Sequence, residues 1–100
     1  MRWVEILEIR SFGNKKALMV QDLPTLLKDY VVEKGLENIE IYCHGELSSD
    51  WSIHLHYCSE AAPANRSIFG LRLVSMLKES GFVHHSIWNE MRRCELTDGQ

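Results

Sequence analysis

The most constraining feature of this sequence is a pair of alternating segments separated by three turn-forming residues. Asn38 to Leu47 sets Ile39, Ile41 and Cys43 against Glu40, Tyr42, His44 and Glu46. Trp51 to Cys58 sets Trp51, Ile53, Leu55 and Tyr57 against Ser52, His54, His56 and Cys58. Successive side chains of a strand point to opposite faces, so this alternation predicts two strands, each with one apolar and one polar face. Ser48-Ser49-Asp50 is short and rich in turn formers, which predicts an antiparallel hairpin. With Leu47 and Trp51 flanking the turn, His44 falls opposite His54 and Tyr42 opposite His56, at β-carbon separations of roughly 4.5–5.5 Å.

The flanking segments complete a pattern. Trp3 to Phe12 is rich in β-formers and stops at the turn signal Gly13-Asn14. The phase that sends Leu7 and Ile9 inward and leaves Glu8 and Arg10 outside also sends Glu5 inward, where it needs a partner. Lys15 to Gln21 reads as a loop or a short helical lead-in. A helix is predicted from Asp22, which can cap its first turn, with Pro24 where no helical N–H is required. Leu23, Leu26, Leu27, Tyr30 and Val31 form its buried face, and Gly35 closes it.

After the irregular stretch Ser59 to Arg66, Ser67 caps a second predicted helix that runs to Ser80 and ends at Gly81. That helix is apolar on more than one side, and Gly70 within it marks a close backbone approach. Val83 to Met91 reads as the last strand, with Val83 and Ile87 inward and His84 and Trp88 outward. The order β-α-β-β-α-β with right-handed crossovers predicts a ferredoxin-like α+β fold: a four-stranded antiparallel sheet with both helices on one face. The expected organisation is a single domain over residues 1–100, with a core at 3–91 and a polar tail at 92–100.

Composition narrows the function. With 45% hydrophobic and 25% charged residues, the chain reads as an ordinary soluble globular domain. A domain of 100 residues buries only about two-thirds of its unfolded surface, so a second copy is expected to add cover. The net charge of −3 arises entirely in residues 1–50, and no basic stripe is present to replace the counterions of a nucleic acid. Cys43, Cys58 and Cys94 are odd in number and lack Cys-x-x-Cys spacing, as expected of reduced intracellular thiols. Glu5 and Glu8 interrupt any signal-peptide core, and no apolar run reaches membrane-spanning length. A cytoplasmic location is expected.

The polar face of the predicted sheet collects Tyr42, His44, His54, His56, His84 and Trp88, with Glu8 and Arg10 from the first strand. Convergent titratable groups on an apolar lining are the usual form of a small-molecule site. Histidine titrates nearest neutrality, so His54, His56 and His44 are the candidate bases, with Tyr42, His84, Trp88 and Arg10 as candidate substrate contacts. The same three histidines on one face are the candidate ligands should a metal bind, but no further ligand motif accompanies them, and no cofactor is expected. A homodimer interface would have the same composition. Cys58 shares a face with His56, yet neighbours two apart on a strand are poorly placed for a thiol–imidazole bond.

The order of elements, the length, the open sheet face and the stretch from Ser67-Ile-Phe-Gly-Leu-Arg-Leu through Gly81-Phe-Val-His-His-Ser-Ile-Trp-Asn-Glu resemble the dimeric α+β barrel superfamily, which includes the antibiotic-biosynthesis-monooxygenase-like proteins. The resemblance covers most of residues 3–91 in layout. It implies a homodimer with facing sheets and a ligand cavity between sheet and helices or within the barrel. It further implies cofactor-free oxygenation of a small aromatic or quinol-like substrate, in which a base deprotonates the substrate and the carbanion reduces O2. Asn89, Trp88 and the histidines would position that substrate. A non-catalytic small-molecule-binding or regulatory dimer and a histidine-based metal-binding module are the alternatives.

Overall fold

A computed structural model describes residues 1–13, 15–28, 33–60 and 65–97. Its elements are β1 (Arg2–Ser11), α1 (Lys15–Lys28), β2 (Leu36–Cys43), β3 (Asp50–Cys58), α2 (Ile68–Leu77) and β4 (Gly81–Asn89). The four strands form one antiparallel sheet in the order β2-β3-β1-β4. This is the ferredoxin-like α+β arrangement that the alternating segments and the βαββαβ order imply.

Strand periodicity decides which side chains meet the helices. Leu7 and Ile9 of β1 and Trp51, Ile53, Leu55 and Tyr57 of β3 are buried together with Leu23 of α1 and Phe69, Leu73 and Leu77 of α2. Full burial of each aliphatic side chain of this size contributes on the order of 1.5–3 kcal/mol. The expected phase of β1 therefore holds. The indole of Trp51 reaches the end of β1, where its N–H donates to Ser11 Oγ at 2.8 Å.

Helix α2 begins as expected: Ser67 precedes it in extended conformation, and its hydroxyl accepts the Gly70 N–H at 2.9 Å. It ends at Leu77, three residues earlier than Ser80, so Gly81 belongs to β4 instead of the helix end. Gly81 is needed for a close approach, because a β-carbon there would stand 2.3 Å from the Arg10 carbonyl oxygen. The wide apolar surface of α2 is only partly covered, with Ile68 and Leu71 exposed.

Further expectations are corrected. First, α1 starts at Lys15, so Asp22 and Pro24 lie inside it. The segment Ala17-Leu18-Met19 has good helix formers, and the helix runs through Pro24 at the cost of one backbone donor. Leu23 is buried and Leu27 half-buried, while Asn14, Tyr30 and Val31, the Leu26 side chain, Pro63 and the last three residues lie outside the described part.

Second, the hairpin register differs. Strand β2 ends at Cys43, and Cys43 pairs with Trp51, Tyr42 with Ser52, and Glu40 with His54. His44 does not oppose His54, nor Tyr42 His56. The cause lies in the loop: His44 Nδ1 accepts the amides of Glu46 and Leu47, both at 3.0 Å, which bends the chain away before the strand can extend to Leu47. Third, Ile41 and Cys43 share the phase of the core yet are exposed, because β2 is an edge strand at the margin of the helical cover. Likewise β4 stops at Asn89, and Met91 is exposed.

Candidate functional site

The face of the sheet opposite the helices is organised in rows that run across strands. One row is Tyr42, Ser52, Glu8 and His84; the next is Glu40, His54, Ile6 and Ser86; the third is Asn38, His56, Val4 and Trp88. Antiparallel pairing places such neighbours within side-chain reach. Val4 and Ile6 are half-buried between more polar flanks, whereas Tyr42 and Trp88 are exposed.

Glu40 is the hub of this face, and the sequence reading did not single it out. Its carboxylate accepts the Tyr42 hydroxyl at 2.8 Å, and its other oxygen lies 2.5 Å from His56 Nε2, a close approach without hydrogen-bond alignment. The Tyr42 hydroxyl, and then His56, hold the Glu40 carboxyl below the usual carboxylate range, while the same carboxylate pushes the Tyr42 phenol up. The Tyr42 and His54 rings lie 4.7 Å apart at 58°. His54 Nε2 is 3.0 Å from Ser52 Oγ. Partial burial, then the neighbouring His56, push the His54 imidazole down, so it is a neutral base at neutral pH. The signal for Glu40 was present: it shares the period-two phase of Tyr42.

Two cavities divide the sequence-predicted residues. The larger, about 520 Å3, is lined by Arg10, Tyr42, His44 and His84 together with Glu8, Ser52, Asp50 and Phe82. The smaller, about 340 Å3, is lined by His56, Trp88 and Asn89 with Arg2, Trp3 and Arg93. His54 sits between the two groups, in contact with Tyr42 on one side and 6.5 Å from the His56 ring on the other. Arg10 engages Asp50 through two nitrogens at 3.3–3.4 Å, and that contact holds the Asp50 carboxyl low. The Trp88 indole N–H donates to Ser86 Oγ at 3.0 Å. Of the three candidate metal ligands, His44 has its Nδ1 committed to the loop. Among the described residues no three His, Cys, Asp or Glu side chains are grouped to hold an ion.

The fold is similar to that of Rv0793 from Mycobacterium tuberculosis, with a TM-score of 0.69 at 12% sequence identity, covering 95% of this chain and 100% of that one. No family model and no curated protein matches the sequence. The likeness establishes a small α+β fold. No helix among the described residues is long and apolar enough to cross a membrane.

A second polar group lies on the opposite side of the sheet, under α2. Glu5 is fully buried, and its carboxylate accepts the Ser67 N–H at 2.6 Å and the Ser67 hydroxyl. Tyr57 donates its phenol proton to Ser67 Oγ at 3.0 Å. His85, with 6% of its side chain exposed, brings Nε2 to 3.5 Å from Glu5 Oε1. The partner that an inward Glu5 requires is thus supplied by Ser67, with the His85 ring alongside; the sequence reading connected neither to it.

Proposed function

We propose that this chain works in the cytoplasm as a homodimer joined through the open sheet face, and that it oxygenates a small phenol- or quinol-like substrate without a cofactor. The reading rests on one observation: the Glu40–Tyr42–His54–His56 network, beside a cavity of about 520 Å3, on a sheet face that no other layer covers among the described residues. The resemblance to the antibiotic-biosynthesis-monooxygenase-like proteins supplies the reaction class.

In this reading the neutral imidazole of His54 takes the hydroxyl proton of the substrate, whose ring stacks against Tyr42. The resulting phenolate gives an electron pair from a ring carbon to O2, forming a C–O bond. As the O–O bond breaks, the hydrogen on that carbon and the proton held by His54 leave with one oxygen atom as water, and the other oxygen atom stays on the ring as a carbonyl. Glu40 fixes the Tyr42 hydroxyl. Arg10 and His84 contact the polar end of the substrate, while Trp88, Asn89 and His56 belong to the second cavity near the strand ends. A second copy covers the exposed Tyr42, Phe82 and Trp88 and excludes water from the site.

Two measurements test this. Sedimentation should give twice the chain mass for the wild type and a monomer for Trp88→Glu; a monomeric wild type overturns the dimer. Oxygen uptake with a panel of phenols and quinols should occur and fall at least tenfold in His54→Ala. Saturable binding of these compounds with no uptake would leave a ligand-binding dimer and refute the oxygenase.

A further inference from the structure

Helix α2 rests on the sheet through a carboxylate oxygen that bonds one backbone amide and lies near a histidine ring nitrogen. Glu5 Oε1 accepts the Ser67 N–H at 2.6 Å and lies 3.5 Å from His85 Nε2. The helix is seated directly over the pair, since a β-carbon at Gly70 would stand 2.9 Å from Glu5 Oε2 and 3.1 Å from His85 Cε1. The Ser67 hydroxyl is fully engaged: it donates to Glu5 and accepts from the Gly70 amide and from Tyr57. Neither ring nitrogen of His85 has a hydrogen-bond partner among the described residues. Buried polar atoms are nearly always satisfied, and an exception calls for a physical reason.

We propose that Glu5 and His85 form a buried proton-binding site that controls how firmly the N-terminus of α2 is held. With His85 neutral, Glu5 Oε1 belongs to the Ser67 amide, and the helix is locked on β1. Protonation gives His85 two donors and a full charge beside a carboxylate, and charge-assisted hydrogen bonds are stronger than neutral ones. The imidazolium then shares Oε1 with the Ser67 amide and draws the oxygen toward itself, so the amide's hydrogen bond weakens and the first turn of α2 loosens.

The groups facing this site set the pH at which the exchange occurs. Burial opposes the charge on His85, Glu5 favours it, and Arg66 and His84 oppose it. Arg66 donates to the His85 carbonyl at 3.3 Å. From the other elements, Tyr57 on β3 keeps its proton because burial pushes its phenol up. Glu33, whose carboxylate accepts the Phe69 amide at 3.1 Å, is itself pushed up by burial. The protonating step is therefore expected on the acid side of the ordinary histidine value of 6.5, and it is placed on the helix side of β4, away from the open-face network.

The test is a pH titration of the wild-type chain by NMR, following the His85 ring Cε1–H and the backbone amides of Ser67 and Gly70 in one sample. The Ser67 amide should move upfield, toward a weaker hydrogen bond, with the same midpoint as the His85 ring. His85→Gln should abolish that step while the amide spectrum stays dispersed. A Ser67 amide that stays in place while His85 titrates overturns the proposal, as does a step that persists in His85→Gln. Should that variant fail to fold, the coincidence or separation of the two wild-type midpoints decides the matter alone.

Discussion

Gly70 of α2 lies over the buried carboxylate of Glu5, so close that a β-carbon there would come within 2.9 Å of Oε2. Glycine inside a helix ordinarily costs about 0.5–1 kcal/mol relative to alanine. Here the added methyl would also press on Ser67 Oγ and the His85 ring, at 3.0 and 3.1 Å. All three neighbours are tied into one packed cluster, which leaves little room to yield. Gly70→Ala is therefore expected to destabilise the fold by about 1–3 kcal/mol, reversing the usual sign. A lowered urea midpoint with an unchanged slope would be the signature, and a raised midpoint would show that the cluster can shift.

Removing Glu5 tests the same cluster from the sheet side. Glu5→Ala leaves the Ser67 N–H and hydroxyl without their acceptor, and an unsatisfied buried donor costs about 1–3 kcal/mol. Glu5→Gln keeps an acceptor oxygen of similar shape and should cost less. Urea unfolding of both variants checks the order. Equal losses would mean that the negative charge, not the acceptor, holds α2.

The sheet was legible because period-two alternation reports a local property, the direction of successive side chains, and the phase of Ile53 and Leu55 follows from it directly. The cap at Ser67 was legible for the same reason, since its hydroxyl bonds Gly70 only three residues on. Asp22 and Pro24 misled because the same two residues fit a helix start and the interior of a longer helix, and only the residues before them distinguish the two. The register of the hairpin was hidden in the ring of His44, whose bonds to two loop amides shorten β2. That shift pairs Glu40 with His54 and makes Glu40 the hub. Glu5 announced a need without naming a partner, because Ser67 lies 62 positions away and nothing local connects them.

Acid should weaken the fold through the two histidines whose charged forms burial disfavours. His85 and His54 both titrate below 6.5 in the folded chain, whereas the unfolded chain titrates near the ordinary value of about 6.5. Between the folded and unfolded values the unfolded chain binds more protons, so stability falls as the pH drops through that interval. It is fully retained above about 6.5. His85→Gln should flatten the dependence of the urea midpoint between neutral and mildly acidic pH, and His54→Gln should flatten it less, since that ring is partly solvated. An acid slope identical to wild type in both variants would assign it to other groups.

Tyr42→Phe isolates the hydroxyl that Glu40 accepts at 2.8 Å. The ring remains, so its contact with His54 at 4.7 Å and the packing of β2 on β3 should persist. Glu40 and Tyr42 are partly solvated, and contacts of this kind near the surface contribute about 0–1 kcal/mol, so the unfolding midpoint should barely change. The carboxyl of Glu40 should change more. Its largest stabilising partner is gone, and its titration should move up toward the ordinary value of 4.5, with His56 and then His54 still drawing it down. Carbonyl-detected NMR of the Glu40 side chain reads this directly. An unmoved Glu40 would mean that the contact with His56 Nε2 at 2.5 Å governs the carboxylate, and the hub would then belong to the histidine and not to the phenol.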